Sequence, residues 1–544
     1  MILDYIPGTQ MYAARIPAAD RAAVHKAVNE YGFDVSLSAS TDLEAVVLTA
    51  DPYAAVALYE SATDRAREQL GPIAERIAQS WARESNARIA CPADKELWPY
   101  QRAGVRYALD VGNVLIADQP GLGKTCQAIC YANELQAHRV LVLCPAAVRL
   151  QWAKEIRAWT TMRWPYNIHT ILHGKHGVHP KANWTICSYD LASTAAIGSG
   201  LAALDYDLLI LDEAHMLKTV STNRTRAVFG GGVDRPFPAI SARSKRICAL
   251  TGTPTPNRPR EAYTLARGLC YDSIDWQSED SFNLRYNPSM RREGKREDGS
   301  TYYYTDERSG REHELNARLR SHFMVRREKR GPNGVLNQLE YPIYDIIQLE
   351  ETGPVKQALK AESMLQLDPD TLQGASIAID GAISTVRKQM GLALAPQIVA
   401  YARNLLDSGE EKIVLFGWHK EVLQIFQQGL SDYGVARTLG PGDKAACVDR
   451  FMADPKCRVF MGNTLASGVG VDGLQKVCNR IIVGEPSWTP GDNQQVVDRV
   501  DRIGQKNTVL ADFMVAPKSF SERVLATSLK KLQVIHKTLD VRHA

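Results

Sequence analysis

The stretch Ala117–Thr125, Ala-Asp-Gln-Pro-Gly-Leu-Gly-Lys-Thr, decides the fold. It follows the apolar run Val114–Ile116 and precedes a helical pattern that starts at Cys126. A strand, a glycine-bearing loop and a helix N-terminus together form an anion site, because backbone N–H groups and the helix dipole both favour phosphate. The spacing predicts a phosphate-binding loop, in which Lys124 neutralises the β- and γ-phosphates of a nucleotide and Thr125 offers its hydroxyl to Mg²⁺.

A second motif bears on the same site. Asp118 stands where the strict loop pattern has glycine, so a bare turn is the alternative interpretation of the first motif alone. Downstream, the apolar strand Leu208–Leu211 delivers two adjacent carboxylates to its carboxyl end, the edge where open α/β sheets bind ligands. Asp212 is suited to hold Mg²⁺ and Glu213 to polarise an attacking water. Two nucleotide motifs in this order favour a nucleotide site over an isolated acidic turn.

Length, charge and cysteine content limit the classes of protein to which the chain can belong. The chain has 544 residues, enough for several domains, and 45% apolar with 23% charged residues is typical of a globular protein. A net charge of +4 is too small to indicate a nucleic-acid partner, so the position of the charges has to decide. No apolar run reaches about 18 residues, so we expect no membrane span. The ten cysteines form no Cys-x-x-Cys pair and several lie in apolar segments, which predicts reduced thiols in an intracellular protein.

Apolar strands alternate with helical patterns along most of the chain, which predicts parallel sheets covered on both faces. We expect an N-terminal α+β module at 1–90, a first lobe at 91–270, a basic insertion and linker at 271–385, and a second lobe at 386–544. Strands are expected at 11–16, 44–49, 140–144, 184–188, 208–211, 246–250, 412–416, 458–461 and 480–483. Helices are expected at 20–31, 52–70, 72–83, 148–156 and 519–539. The N-terminal module carries no catalytic constellation, and a structural cap and a DNA-structure sensor are both open for it.

Two basic clusters lie in the predicted insertion. The first surrounds Tyr302–Tyr304 and comprises Arg291, Arg292, Lys295, Arg296, Arg308 and Arg311. The second comprises Arg318, Arg320, Arg326, Arg327, Lys329 and Arg330. Basic residues among aromatic ones suit a surface that tracks a phosphate backbone. Interspersed acids leave a salt-bridged insertion equally open for the first cluster, whereas we interpret the second as a DNA contact.

The stretch Gln495–Gln505 carries two arginines, Arg499 and Arg502, on one face of a predicted helical turn. Two guanidinium groups reaching the nucleotide from a second lobe fit arginine fingers on the γ-phosphate. By spacing alone, a surface ion-pair ladder with Asp498 and Asp501 is the better interpretation.

Taken together, Leu97–Leu539 resembles a Swi/Snf-type ATPase of helicase superfamily two. The resemblance implies two tandem RecA-like parallel-sheet lobes with helical insertions, an α/β fold. Leu97–Gln101 is similar to the family's adenine-reading segment, with Gln101 in the reading position. Asp118–Thr125 is similar to its first motif, in which Asp commonly replaces the leading Gly, so Asp118, Gly121 and Gly123 are expected to contact nucleotide. Asp212–His215 matches the DEAH box, and Leu250–Pro256 the Thr-Gly-Thr-Pro motif.

The resemblance also implies contacts in the second lobe and with DNA. Thr464–Leu474 is similar to the fifth motif, with Gly470 and Asp472 near nucleotide, although it departs from the usual Gly-Ile-Asn-Leu. Gln495–Gln505 is similar to the sixth motif, with Arg499 and Arg502 as fingers and with Asp501 where the family usually has His. DNA-contacting positions are implied at Pro145, Gln151, Trp152, Ser188, Tyr189, Arg326, Arg327, Trp418 and Thr464.

The compact plan looks most like the annealing and fork-remodelling branch of the family. We therefore expect a monomeric translocase that uses ATP and Mg²⁺ on duplex, forked or branched DNA, cytoplasmic if it is bacterial or phage-encoded. A motor that displaces or repositions DNA-bound proteins is the first alternative. A DNA-binding scaffold with a vestigial site is the second.

Overall fold

The computed structural model describes residues 1–36, 40–41, 43–163, 166–231, 237–255, 258–295, 301–307, 310–331, 334–338, 340–364, 381–438, 444–464, 473–488 and 490–525. These residues form two compact units: unit 1 contains the described residues of 1–119 and 123–327, and unit 2 contains 120–122 and the described residues from 328 to 525. The N-terminal module and the first lobe share unit 1, and the second lobe forms unit 2.

The N-terminal module of unit 1 is a four-stranded antiparallel sheet in the order β1-β2-β4-β3. Its strands are β1 (Ile2–Ile6), β2 (Met11–Pro17), β3 (Asp34–Val35) and β4 (Glu44–Thr49). Its helices are α1 (Arg21–Asn29), α2 (Pro52–Ala55) and α3 (Asp64–Trp81). A core that includes Leu3, Val47, Leu70 and Trp81 lies between the sheet and α3.

The predicted helices at 52–70 and 72–83 are wrong in their boundaries. After α2 the chain forms a 3-10 helix, Val56–Ser61, and α3 then starts because the Thr63 side chain accepts the Ala66 N–H as its N-cap. Helix α3 continues through Pro72, where the pattern had predicted a new start. The buried face of α3 stabilises it enough to offset the missing N–H of this proline.

The first lobe contains a seven-stranded, all-parallel sheet in the order β13-β5-β10-β9-β6-β8-β7. Its strands are β5 (Val114–Ile116), β6 (Val140–Cys144), β7 (Ile168–Thr170), β8 (Trp184–Ser188), β9 (Leu208–Asp212), β10 (Ile247–Leu250) and β13 (Met324–Val325). Strands β5, β6, β8 and β10 are buried along their whole length, which explains why they read as unbroken apolar runs.

Helices cover this sheet. They are α4 (Pro99–Val111), α5 (Lys124–Glu134), α6 (Arg149–Trp159), α7 (Tyr189–Ala192), α8 (Ala195–Ala202), α9 (Asn223–Phe229), α10 (Tyr263–Leu269), α11 (Glu279–Tyr286) and α12 (Glu312–His322). Between α11 and α12, strands β11 (Ser289–Lys295) and β12 (Thr301–Glu307) pair as an antiparallel hairpin that carries part of the first basic cluster.

Unit 2 contains a six-stranded, all-parallel sheet in the order β14-β19-β18-β15-β17-β16. Its strands are β14 (Ile343–Gln348), β15 (Ile413–Gly417), β16 (Val435–Arg437), β17 (Val459–Asn463), β18 (Arg480–Val483) and β19 (Leu510–Val515). Its helices are α13 (Gly353–Ser363), α14 (Gly381–Asp407), α15 (Lys420–Gly429), α16 (Lys444–Ala453) and α17 (Pro490–Val497).

The expected fold class is confirmed: two parallel-sheet α/β lobes with insertions, plus a small N-terminal α+β module. The domain boundaries at 90, 270 and 385 stay predictions. Only 519–525 of the expected helix at 519–539 is described, and 520–525 is helical. Within the described part of the chain, every helix is too short or too polar to cross a lipid bilayer.

Candidate nucleotide site

The phosphate-binding loop connects β5 to α5. Gly123, the N-cap of α5, has φ +75°, and a Cβ there would lie 2.4 Å from the Gln101 Nε2. Glycine is therefore needed at this position for both its backbone conformation and the close approach of Gln101. Lys124 begins α5, and its Nζ donates to the Asp118 carbonyl oxygen at 2.8 Å. Thr125 lies in the first turn of α5 and is partly exposed.

Strand register brings the three nucleotide motifs to one edge of the sheet. In β10, Leu250 is the partner of Ile116 in β5 on one side and of Asp212 in β9 on the other. The next residue of each strand or loop therefore emerges at the same level. The phosphate-binding loop, the Thr251–Thr253 turn and Asp212–Glu213 all meet at the carboxyl edge, as the sequence predicted for parallel strands.

Two buried aromatic residues fix Asp212. The Trp152 indole donates from Nε1 to Asp212 Oδ2 at 2.8 Å, and the Tyr189 hydroxyl donates to the Asp212 carbonyl oxygen at 2.8 Å. Burial, followed by the neighbouring charge of Glu213, raises the pKa of Asp212 to about 6. The raised pKa shows that the protein compensates the negative charge of the Asp212 carboxylate only in part. This carboxylate is therefore suited to bind a cation.

The DEAH histidine connects the acidic pair to the neighbouring turn. His215 Nδ1 lies 3.2 Å from a carboxylate oxygen of Glu213 and 3.0 Å from the hydroxyl of buried Thr251. Glu213 itself has φ +50°, a left-handed conformation that is uncommon outside glycine. The strained backbone turns the Glu213 side chain toward His215, and this link was not identified from the sequence.

Asp118 takes a different role from the one its motif suggested. It is 0% exposed, and its carboxylate accepts hydrogen bonds from Arg327 Nε at 2.7 Å and Nη2 at 2.5 Å. Gln127 Nε2 donates to the same carboxylate at 2.9 Å. Asp118 thus anchors the loop to β13 and α5. A buried acid requires a charged partner, and this requirement is the signal that could have linked Asp118 to a downstream arginine.

The second basic cluster is not a solvent-facing surface, contrary to the expected phosphate-tracking role. Its six side chains, on residues 318, 320, 326, 327, 329 and 330, are all at most 9% exposed. In unit 1, Arg326 Nη1 donates to the carbonyl oxygens of Ala117 and Gly252. The charges of this cluster are used inside the protein, and DNA contact by Arg326 and Arg327 gains no support from their placement.

In unit 2 the same segment holds the turn that carries the predicted fingers. Lys329 Nζ donates to Asp498 Oδ1, at 2.5 Å, and to Asp501 Oδ2, at 3.1 Å, while Arg330 pairs with both oxygens of Asp501. Because both aspartates are buried, the surface ion-pair ladder does not describe this turn. Helix α17 ends at Val497, so the arginines at 499 and 502 lie in the following turn and not on a helical face.

The remaining predicted residues lie in several places. Gln101 is 3% exposed, and its Oε1 accepts the Trp98 N–H at 2.9 Å. Trp152 and Tyr189 are buried against Asp212, and Ser188 is buried at the end of β8. Pro145 and Gln151 are partly exposed. In unit 2 the partly exposed Trp418 ring lies 4.1 Å from the Arg387 guanidinium, and Thr464 is buried. Gly470 and Asp472 lie outside the described residues. The DNA contacts and nucleotide contacts of all these residues stay predictions.

The residues of unit 1 fit MgATP by their donor chemistry. The α5 N-terminus and the Lys124 ammonium group supply positive charge for phosphates. The Asp212 carboxylate and the Thr125 hydroxyl supply the oxygen ligands that Mg²⁺ prefers.

Comparison with known proteins finds a domain match and several relatives. Residues 98–345 match the family model for the SNF2-related domain. The chain is 27% identical over 460 residues to the Bos taurus DNA annealing helicase and endonuclease ZRANB3, covering 82% of this chain and 41% of that protein. It is 28% identical over 469 residues to the Bos taurus SWI/SNF-related matrix-associated actin-dependent regulator of chromatin subfamily A-like protein 1, covering 82% of this chain and 45% of that protein.

The chain thus spans less than half the length of these two curated relatives. Among solved structures it is similar to the Sulfolobus solfataricus SWI2/SNF2 ATPase core in complex with dsDNA. That similarity has a TM-score of 0.38 and 19% identity, and it covers 82% of this chain and 94% of the other. The domain match and the relatives agree with the motifs read from the sequence, which are similar to those of the Swi/Snf-type ATPases of helicase superfamily two.

Proposed function

We propose that this chain hydrolyses ATP with Mg²⁺ in response to DNA and uses the energy to move along duplex DNA, remodelling forked or branched structures. The observation that carries the proposal is the convergence of Lys124, Asp212, Glu213 and the Thr251–Thr253 turn at one edge of the unit 1 sheet. The name of one relative, a DNA annealing helicase and endonuclease, supports the annealing branch.

The unit 1 residues divide the chemistry among them. Lys124 holds the β- and γ-phosphates, and Asp212, oriented by the Trp152 indole, holds the metal together with Thr125. The bound Mg²⁺ neutralises phosphate charge. Glu213 orients and polarises the attacking water. Because His215 Nδ1 contacts both Glu213 and Thr251, loss of the γ-phosphate can be transmitted from the water-activating residue to the Thr251–Thr253 turn.

Unit 2 supplies the groups that make hydrolysis depend on movement. Arg499 and Arg502 act as arginine fingers when the lobes close on the nucleotide. Their turn is already shaped within unit 2, because Asp498 and Asp501, each directly before one of the two arginines, are held by buried cations. Preorganised donors of this kind stabilise developing charge without reorganising at the moment of reaction.

In this proposal the chain binds DNA mainly through contacts with its phosphates. Binding of that kind gives weak sequence preference and a steep dependence on salt. The chain acts as a monomer in this scheme, and repeated closing and opening moves one lobe along a duplex strand.

The test is the steady-state ATPase rate of the full chain on single-stranded, duplex, forked and four-way DNA, with Lys124→Ala as the inactive control. Highest stimulation by forked or four-way DNA supports the proposal. Equal stimulation by plain duplex, with displacement of a bound roadblock protein, would instead identify a protein-displacing motor. Absence of hydrolysis on every DNA would refute the motor function.

The fingers have a separate test. Arg499→Ala is expected to lower kcat by ~10³-fold, as loss of other arginine fingers does. Arg450→Ala is the matched control, because Arg450 is an exposed arginine of the same unit, with 56% of its side chain accessible. A loss from Arg499→Ala no larger than that of the control would remove Arg499 from the mechanism.

A further inference from the structure

The N-terminal module lies outside the matched SNF2-related domain, yet it is packed against the first lobe within one compact unit. Helix α12 makes much of this contact. Ala317 of α12 is 0% exposed inside the core of the module, and the His313 ring packs on the Tyr31 ring with centroids 4.6 Å apart. The guanidinium of Arg318 lies 4.4 Å from the Tyr53 ring centroid. The module therefore shares a core with α12.

A buried ion network strengthens this contact. Asp51, the N-cap of α2, pairs with Arg318 and with Arg285 of α11. Glu314, which is 0% exposed, pairs with the same two arginines and accepts the Tyr286 hydroxyl. Asp275 also pairs with Arg318, and Arg311 also pairs with Glu314. Three acids are thus balanced by three bases, so the network has no uncompensated charge and fixes the module against α11 and α12.

Beyond the network, the end of α3 contacts a single arginine of α12. Arg320 is 0% exposed, and its guanidinium lies 3.5 Å from the Trp81 ring centroid. Its Nη1 donates to the Ser80 hydroxyl at 3.2 Å and to the Arg326 carbonyl oxygen at 3.3 Å. Arg320 therefore bridges the last turn of the N-terminal module and the segment that follows β13.

The segment that follows β13 in turn forms hydrogen bonds with the backbone of the nucleotide site. The Ala117 N–H donates to the Val325 carbonyl oxygen at 2.8 Å, extending the β13–β5 ladder into the phosphate-binding loop. Arg326 Nη1 donates to the Ala117 carbonyl oxygen at 2.7 Å and to the Gly252 carbonyl oxygen at 3.1 Å. One guanidinium thus holds the first residue of the phosphate-binding loop and the middle of the Thr251–Thr253 turn.

We propose that the N-terminal module is a positioning element of the ATPase site. Ser80 and Trp81 hold Arg320, Arg320 holds the backbone at Arg326, and Arg326 sets the separation of the phosphate-binding loop from the Thr251–Thr253 turn. These are positioning residues, since they lie behind the catalytic edge and touch no reacting atom. The proposal rests on the proposed function only for its effect on turnover, because its effect on the backbone can be measured without hydrolysis.

The alternative, in which the N-terminal module is only a structural cap, leads to a different prediction. If the module only adds stability, any equally damaging change in its core has the same effect on the site. Leu70→Ala supplies that comparison, because Leu70 is a 0% exposed core residue of α3. Trp81→Ala removes the ring that Arg320 stacks on. Ser80→Ala is the milder change: it removes the hydroxyl that accepts from Arg320 and donates to the Ile77 carbonyl oxygen, and it leaves the apolar core of the module in place.

The experiment is peptide-resolved hydrogen exchange on the full chain without nucleotide, paired with ATPase kinetics on DNA. In Trp81→Ala and Ser80→Ala we expect faster exchange at 117–125 and 251–253 than in the unaltered chain. In Leu70→Ala we expect faster exchange within 1–81 only. In the kinetics, Trp81→Ala is expected to lower kcat by about 2- to 30-fold, which is the fold-change that measured coupling energies correspond to. Trp81→Phe is expected to recover most of the loss.

Unchanged exchange at 117–125 and 251–253 in both Trp81→Ala and Ser80→Ala would overturn the proposal. So would equal acceleration there by Leu70→Ala. If Trp81→Ala unfolds the module, Ser80→Ala decides. Should the unaltered chain show no ATPase activity, the proposed function fails while the exchange comparison still decides whether the module positions the loop.

Discussion

Replacing Arg327 with methionine tests the buried pair that anchors the phosphate-binding loop. The guanidinium makes four hydrogen bonds: two to the Asp118 carboxylate, one to Gln127 Oε1 at 2.8 Å and one to the Tyr100 carbonyl oxygen at 2.8 Å. Methionine fills similar length without charge. In Arg327→Met, the fully buried Asp118 keeps only the backbone N–H of residue 327, at 3.0 Å, and the Gln127 amide, at 2.9 Å.

The expected cost follows from this arrangement. Removing one partner of a buried ion pair leaves an uncompensated charge and destabilises by about 3–5 kcal/mol. Because about 1.4 kcal/mol is tenfold in an equilibrium constant, local opening of β5 and α5 should become more frequent by a factor between about 10² and about 4 × 10³. Peptide-resolved hydrogen exchange across 114–119 and 123–134, which belong to unit 1, measures this opening separately from unit 2.

The decisive step is a second substitution. Adding Asp118→Asn to Arg327→Met removes the unpaired charge and keeps the shape, so the double variant should be more stable than Arg327→Met by at least about 1 kcal/mol. Asp118→Asn alone, in contrast, should destabilise. If the two changes add without this reversal, Asp118 is not held as a charge by Arg327, and the anchoring role assigned here is wrong.

Three further predictions concern Glu213 of the nucleotide site, the buried ion pairs of Asp501, and His313 in the contact between α12 and the N-terminal module. Glu213→Gln should abolish hydrolysis while nucleotide and DNA binding persist, measured by ATPase rate and fluorescence anisotropy; near-normal turnover would exclude Glu213 as the base. Asp501→Asn should destabilise unit 2 by about 1.5–3 kcal/mol in urea unfolding, because Arg330 loses a charged acceptor, and no change in midpoint would contradict this. Burial, followed by the charge of Lys26, lowers the pKa of His313 to about 4, below its usual 6.5. The unfolded chain therefore binds more protons between these values, so stability falls as pH drops through that window, and His313→Phe should show a smaller loss of melting temperature between pH 7 and pH 5.

The phosphate-binding loop and the acidic pair could be predicted from sequence because each motif is local. Lys124, Thr125, Asp212 and Glu213 occupy fixed positions after apolar strands, and parallel pairing then brings their strand ends to one edge. The register that aligns Ile116, Leu250 and Asp212 is a consequence of that pairing. Strands that are buried on both faces, such as β6 and β8, can likewise be recognised in the sequence as continuous apolar runs.

The turn at Asp498–Gln505 shows where local periodicity is insufficient. A three-residue spacing predicts a shared helical face for Arg499 and Arg502, but α17 ends at Val497. Contacts with Lys329 and Arg330, more than 160 residues away in sequence, shape the turn instead. Local propensity could not have indicated this, because the stabilising charges come from another part of the chain.

Sequence alone determined the class of this protein, its two nucleotide motifs and the two-lobed parallel-sheet plan. Tertiary structure alone decided what its second basic cluster does. Arg318 and Arg327 read as DNA ligands in sequence, yet they are neutralised by Asp51 and Asp118, 267 and 209 residues away. A run of charges does not specify whether its counter-ions are phosphates outside or carboxylates inside, because the desolvated partner is brought close only by the completed fold.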